Sequence, residues 1–261
     1  MKDKLKEISS VTNPKIKEII KLLSDVSYRK KERKFVVEGI HLVAEAMKKG
    51  IVDAIYMTED AYDDLAMALP ISSYHNIFLI KDNVAKKIAS TVNSQNVFAV
   101  CEITPQHIDY DNNILLLDRV QDPGNVGTLI RSAASFNFKT VISNPNSVSY
   151  YNDKVIRSTQ GNFFQINLVK EYLVQSISEL KNQGYIIIGT QMHEESKFLN
   201  KVKFKDDEKY AVIIGNESVG ISPEISELID INVLIPMEEN VESLNAAVAG
   251  SIVMYEISTA K

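Results

Sequence analysis

The sequence predicts an α/β protein in two units, a smaller one over 1–105 and a larger one over 106–261 that carries a parallel sheet. Three observations predict this. Strand-length apolar runs alternate along the whole chain with segments whose apolar residues recur at helical spacing. The strands after residue 113 are almost continuously apolar, as in a doubly wound sheet covered on both faces. Between the two series lies TPQHIDYDNN, Thr104 to Asn113, which is polar, breaks the pattern and reads as a linker.

In the first unit, PKIKEIIKLL places Ile16, Ile19, Ile20 and Leu23 at helical spacing. Asn13 is placed to cap that helix, and Pro14 suits its first turn. KFVVEG reads as a short strand and IHLVAEAMKKG as a helix stopped at Gly50. AIYM, IFLI and FAVCEI are further strands with helical pieces between them. In the second unit the strands are ILLLDRV, TVIS, FFQINLV, YIIIGTQ, YAVIIGN and NVLIPM, most of them separated by helical segments.

Composition narrows the class. A hydrophobic fraction of 45% and a charged fraction of 24% are those of a soluble globular chain. The single cysteine, Cys101, rules out an intrachain disulfide and fits a reducing cytoplasm, the expected location. The N-terminus lacks the apolar core of a signal peptide, and runs such as ILLL and YIII are too short for a membrane span. His41, His75, His107 and His193 are scattered, so no metal is expected.

Net charge is −5, yet Met1 to Phe35 holds 11 Lys/Arg against 5 Asp/Glu, a local +6 that leaves −11 for the remainder. The densest part, YRKKERKF, contains Arg29, Lys30, Lys31, Arg33 and Lys34. By charge alone it reads equally as a solvated helix end or as a phosphate-facing patch.

In doubly wound sheets, ligands bind beyond the carboxyl ends of the strands, and three polar loops fall there. In LDRVQDPGNVGTLIRSAASFN, Gly124 and Asn125 open a helix, Gly127 permits close backbone approach, and Arg131 follows two turns later. That is an ordinary turn with a surface arginine, or an anion-receiving helix start with an arginine clamp. In GNESVGIS the dinucleotide spacing is absent, and Glu217 would repel a pyrophosphate. A carboxylate there suits a cation or a hydroxyl-rich group. In LIPMEENVESLNAAVAGSIVMYE, Ser243 and Asn245 open a helix whose first turns are small: Ala246, Ala247, Ala249, Gly250 and Ser251. Helix packing explains the alanines but not the joint presence of Pro236, Ser243 and Asn245.

Together, DPGNVGTLIR, IIGNESVGIS and IPMEENVESLNAAVAGS resemble the three motifs of the SpoU (TrmH-like) family of RNA ribose 2′-O-methyltransferases, within the SPOUT superfamily. TNPKIKEIIKLL and RKKERKFVVEGIHLVAEAM resemble the substrate-binding domain many members carry, so the likeness covers nearly the whole chain. It implies a C-terminal SPOUT domain with a deep trefoil knot and a smaller, ribosomal-protein-like N-terminal α/β/α domain that binds RNA. It implies a homodimer through the C-terminal domain, and S-adenosylmethionine bound in a bent pose at the strand ends.

Carried over by motif, the resemblance places cofactor contacts at Gly189, Ile214, Gly215, Ile235, Met237, Ser243, Leu244 and Asn245. It places the chemistry at Asn125, Arg131, Glu217, Ser243 and Asn245. Arg157, in VIRSTQGNFF, joins the basic run as an expected RNA contact. Family proposals make the motif-one arginine the base, but a guanidinium is effectively always protonated. A clamp on an adjacent phosphate is the physically preferred role for Arg131. The expected substrate is large-subunit (23S) rRNA, with tRNA 2′-O-methylation or a catalytically silent RNA-binding homologue as alternatives. A nucleotide-dependent oxidoreductase would need an early glycine fingerprint, which KFVVEGIHL does not supply.

Overall fold

Where the first helix starts and stops is set by its capping residues. Asn13 accepts a hydrogen bond from the Lys15 backbone N–H at 3.0 Å and so opens α1 (Pro14–Ser24), after a short strand β1 (Lys6–Ile8). Ile16, Ile19 and Leu22 form the buried face of α1, while Ile20 and Leu23 lie at its margin. The computed structural model describes residues 5–68, 71, 74–193, 195–238, 240–241 and 243–260.

The first unit continues with α2 (Val26–Glu32), β2 (Lys34–Glu38), α3 (Ile40–Lys48), β3 (Val52–Met57), α4 (Glu59–Ala68), β4 (Ile77–Ile80), α5 (Asp82–Ile88) and β5 (Val97–Glu102). Its sheet has the order β1-β4-β3-β5-β2, with β5 antiparallel to both neighbours and the other pairs parallel. Ile16, Ile19 and Leu22 of α1 join Val84 and Ile88 of α5 against Tyr56, Phe78 and Phe98 of the sheet.

The basic run is not a uniform phosphate-facing patch. Arg29 is 4% exposed, and its guanidinium donates to the carbonyls of Leu22 at 2.6 Å and Leu23 at 3.1 Å. It satisfies the open end of α1 and does not face a ligand. Lys34 is held by Asp53 at 2.7 Å. Lys30, Lys31 and Arg33 are exposed.

The second unit begins with β6 (Asn113–Leu117), α6 (Pro123–Ser135) and β7 (Phe138–Ser143). After α7 (Asp153–Ser158) come β8 (Asn167–Lys170), α8 (Leu173–Asn182), β9 (Tyr185–Gly189), β10 (Lys197–Phe198), β11 (Lys209–Ile214), α9 (Pro223–Ser226), β12 (Ile231–Leu234) and α10 (Ala246–Ser258). The strand order is β10-β12-β9-β11-β6-β7-β8, and every neighbouring pair is parallel. The apolar runs ILLL, YIII and AVII are the buried strands of this sheet.

The chain divides after Pro105, but Tyr151–Phe164, with α7, packs with the first unit, so a single cut at 105/106 does not describe it. Phe35 of β2 explains why: its ring lies 4.9 Å from that of Tyr151 and 5.7 Å from that of Phe163. The run FFQINLV is accordingly not one strand. Gly161 turns the chain at φ +88, Phe163 and Phe164 lie in a 3-10 turn, and the strand begins at Asn167.

Candidate functional site

Because β6, β11, β9 and β12 are adjacent and parallel, their carboxyl ends share one edge of the sheet. At the end of β11, Gly215 must be a glycine: a Cβ there would sit 2.3 Å from the Gly220 carbonyl carbon. The loop folds back on itself through two backbone hydrogen bonds between Asn216 and Gly220, at 3.0 and 2.9 Å. The Asn216 carboxamide oxygen accepts from the N–H of Ser218 and of Val219, closing the turn from inside.

This turn presents Glu217 to the start of α6. Its carboxylate accepts from the backbone N–H of Gln121 at 3.2 Å and Asp122 at 3.0 Å, and from Asn125 Nδ2 at 3.0 Å. A carboxylate at a helix N-terminus is favoured by the unpaired N–H groups and the helix dipole. Burial acts to raise the pKa of Glu217, but the hydrogen bonds from Asn125, Asp122 and Gln121 outweigh it and hold the group below the ordinary carboxylate value. What the loop holds in its carboxylate is therefore the start of α6.

The chain of polar contacts continues. Asn125 is 9% exposed, and its Oδ1 accepts from Asn245 Nδ2 at 2.9 Å. Asn245 Oδ1 in turn caps α10, accepting from Ala247 N at 2.9 Å and Val248 N at 3.3 Å. Glu217, Asn125 and Asn245, predicted from three separate loops, are thus one connected network. The small residues of α10 let it press on its neighbours. A Cβ at Gly250 would lie 2.5 Å from Leu129 of α6 and 3.0 Å from Ile214 of β11, and Ser251 meets Ser132 hydroxyl to hydroxyl at 2.7 Å.

The remaining predicted residues fall as follows. Gly189 ends β9 opposite Ile213 of β11, and a Cβ there would meet Ile229 at 2.3 Å, so its small size serves packing. Ile235 and Met237 follow β12; Ser243 and Leu244 lead into the Asn245 cap. Among the described residues, the backbone groups of Ile235, Met237 and Leu244 form no hydrogen bonds within the chain. Ile214 stands apart from them: its carbonyl accepts from the Asp118 N–H at 2.9 Å and its side chain is buried beneath Gly250 of α10. Arg131 is exposed and about 9 Å further along α6 than Asn125, on a different face. The structure does not bring it to Glu217 within this chain. Arg157 is bound by Asp153 at 2.6 Å and by Ser90.

Two residues of this edge escaped the sequence reading. Asp118, wholly buried, accepts from the Ser222 N–H at 2.7 Å and so ties the end of β6 to the loop after β11. Asn216 donates to the Arg119 carbonyl at 2.9 Å and does the same from the other side. An acidic residue ending the apolar run ILLL was the available signal for Asp118; nothing marked Asn216 beyond its place after Gly215.

Residues 112–255 match the SpoU rRNA Methylase family, and residues 13–99 match an MRM3-like substrate binding domain. The chain belongs to the SpoU rRNA methylase family. It is 32% identical to RlmP of Bacillus subtilis (strain 168), a 23S rRNA (guanosine(2553)-2′-O)-methyltransferase, over 97% of this chain and 99% of that one. It superposes on the AdoMet-bound rRNA methyltransferase from Sinorhizobium meliloti with a TM-score of 0.85 and 25% identity, over 97% of each chain. The SpoU methyltransferase AviRb from Streptomyces viridochromogenes shares the fold, with a TM-score of 0.83 and 23% identity over 94% of this chain and 97% of that one.

Proposed function

We propose that this chain transfers a methyl group from S-adenosylmethionine to a ribose 2′-hydroxyl of 23S rRNA. The observation that carries the reading is the hydrogen-bonded series Glu217–Asn125–Asn245, which assembles the three family motifs at one sheet edge. The end-to-end likeness to a 23S rRNA 2′-O-methyltransferase supports the substrate.

S-adenosylmethionine supplies an electrophilic methyl group on a cationic sulfonium. Ile214, Gly215, Ile235, Met237, Leu244 and Asn245 would hold it, with Gly189 shaping the floor and Ser243 at the rim. The free backbone groups after β12 suit the edge of an adenine. Glu217 and Asn125 act as positioning residues: both carboxylate oxygens and both ends of the amide are occupied, so they fix the loops that receive the ribose. Arg131, exposed and cationic, clamps a phosphate of the substrate.

The same reading extends to assembly. Unit 1 is the RNA substrate-binding domain, with Lys30, Lys31 and Arg33 as its exposed cations, and the second unit is the methyltransferase domain. Two copies pair through the second unit. Val248, 46% exposed, and Tyr255, 51% exposed, give α10 an apolar outer face that supports this. Arg131 then serves the partner's site. A single-chain mass in sedimentation at micromolar concentration would refute the pairing. The loops around β11 and α10 form a deep trefoil knot, which the close packing of Gly250 supports; a crystallographic chain trace through 211–250 tests it.

The activity is tested by transfer of labelled methyl groups into total RNA from cells with and without this gene. Label in a 2′-O-methylnucleoside of one 23S fragment, only in RNA from gene-deleted cells, is the expected outcome. Label in tRNA instead overturns the substrate. No label together with no cofactor binding in calorimetry overturns the enzyme and leaves an RNA-binding protein.

A further inference from the structure

Five non-glycine residues among those described have positive φ: Arg33, Asn96, Arg119, Asn137 and Gln160. Arg33 ends α2 and Gln160 follows the last residues of α7, where a left-handed residue is a common stop. Asn96 and Asn137 are asparagines, which tolerate this region. Arg119, at φ 58, has neither explanation: it follows a strand, two residues after the end of β6. Such a conformation costs about 1–3 kcal/mol and persists only where the surroundings impose it.

The surroundings of Arg119 do impose it, from two sides. Its carbonyl accepts from Asn216 Nδ2 at 2.9 Å, which pins the backbone. Its Nε donates to Asp118 Oδ1 at 3.2 Å, and Asp118 is wholly buried, with its other oxygen fixed by the Ser222 N–H at 2.7 Å. A guanidinium held through Nε by an immobile carboxylate has its plane set. The two terminal nitrogens, with four N–H groups between them, have no partner among the described residues. The side chain is 35% exposed, so this fork is accessible.

The place of the fork matters. Arg119 stands at the carboxyl end of β6, two residues before Gln121, whose N–H holds Glu217. It lies on the far side of β11 from β9 and β12, whose ends offer the backbone edge suited to the cofactor. A pre-oriented guanidinium fork matches an anion with two oxygens on one atom.

We propose that Arg119 is an RNA-binding residue that grips a phosphodiester adjoining the target ribose. The proposal rests on the methyltransferase reading above. Asp118 lessens the net charge at the site but sets the direction of the fork, so the contact selects for geometry as well as charge.

The test compares wild type, Arg119→Gln and Arg119→Lys in three measurements. These are S-adenosylmethionine affinity by calorimetry, filter binding of a labelled full-length 23S rRNA transcript against salt, and methyl-transfer kinetics on 23S rRNA from gene-deleted cells. The glutamine keeps a donor for Asp118, and the lysine keeps a cation beside it. We expect Arg119→Gln to raise the RNA KM and Kd about tenfold, with the salt slope smaller by about 0.7–0.9. Arg119→Lys should fall between Gln and wild type, and cofactor affinity should stay at the wild-type value in both. RNA affinity and salt slope unchanged in Arg119→Gln overturns the proposal. So does a loss of cofactor affinity with RNA affinity retained, which would assign the fork to the methionine carboxylate. Loss of both affinities in both variants also overturns it, since that outcome makes the residue a brace for Asp118. A wild type that binds the transcript but methylates no RNA refutes the enzyme reading instead, while the salt slopes still decide Arg119.

Discussion

Each unit of this protein hangs loops on one glutamate, and the two glutamates behave differently. Glu38, at the end of β2, accepts from Ser90 through both its backbone N–H and its hydroxyl, and from Thr91 Oγ1 at 2.7 Å. Ser90 is also bound by Arg157, itself paired with Asp153, so this node fastens α7 to the first unit. Glu217 accepts the same number of hydrogen bonds, but one comes from a side-chain amide that passes the connection on to Asn245. The first node closes on itself among hydroxyls and an ion pair. The second links three loops along the open edge of a sheet. A saturated carboxylate alone does not mark a functional site; the reach of its partners does.

Cutting the second node should have the largest effect. Asn125→Ala separates Glu217 from Asn245, and misplacing the loops is expected to lower methyl-transfer turnover about 100-fold. Urea unfolding should shift by only about 1–2 kcal/mol. Turnover near wild type would remove the distinction between the nodes. The converse variant comes next. Glu38→Ala leaves the donors of Ser90 and Thr91 without their acceptor and should cost about 1–3 kcal/mol in urea unfolding. Cofactor affinity should hold, and a loss of it would mean that the first node also shapes the site.

Acid sharpens the comparison further. Burial acts to raise the pKa of both glutamates, and for both the hydrogen bonds win, leaving them below the ordinary 4.5 when folded. The folded chain then binds fewer protons than the unfolded one in acid. The stabilisation is complete above about pH 4.5 and is lost as pH falls through the lowered folded values. Glu38→Gln and Glu217→Gln should each flatten the fall in urea midpoint between about pH 5 and about pH 3. A slope identical to wild type in both would contradict these assignments. The smallest effect is expected at the exposed end of the basic run. Lys31→Ala should change stability by less than about 0.5 kcal/mol while lowering the salt slope of RNA binding by about 0.7–0.9. An unchanged slope would leave Lys31 a merely solvated charge.

What could be seen in the sequence was whatever depends on near neighbours. ILLL, YIII and AVII are buried strands because a run of aliphatic residues has nowhere else to go, and Asn13 caps α1 because its oxygen reaches two residues on. The strands β1, Lys6–Ile8, and β10, Lys197–Phe198, were not legible: each is too short to show a period, and their pairing with β4 and β12 comes from distant chain. FFQINLV looked like one strand because Phe163 is as apolar as any strand residue; only Phe35, far away in sequence, decides otherwise. Arg29 looked like surface charge because a run of basic residues says nothing about which member bends back to the carbonyls of Leu22 and Leu23. At the site, the residue types of the three loops were legible as a set. Their connection through Asn125, and the parts played by Asp118 and Asn216, required the fold.

Asn125 has one further consequence. A carboxamide has two unlike faces, and here each is used once: oxygen toward Asn245, nitrogen toward Glu217. The series therefore has a sense, with every donor on the Asn245 side of its acceptor. Replacing that amide by the isosteric acid would change a single heavy atom and set two carboxylates face to face. They could coexist only by holding a proton between them. The asparagine spares the site this. It lets three loops meet around an anion without any of them needing to titrate, so the assembly of the edge is insensitive to pH across the range in which the cell works.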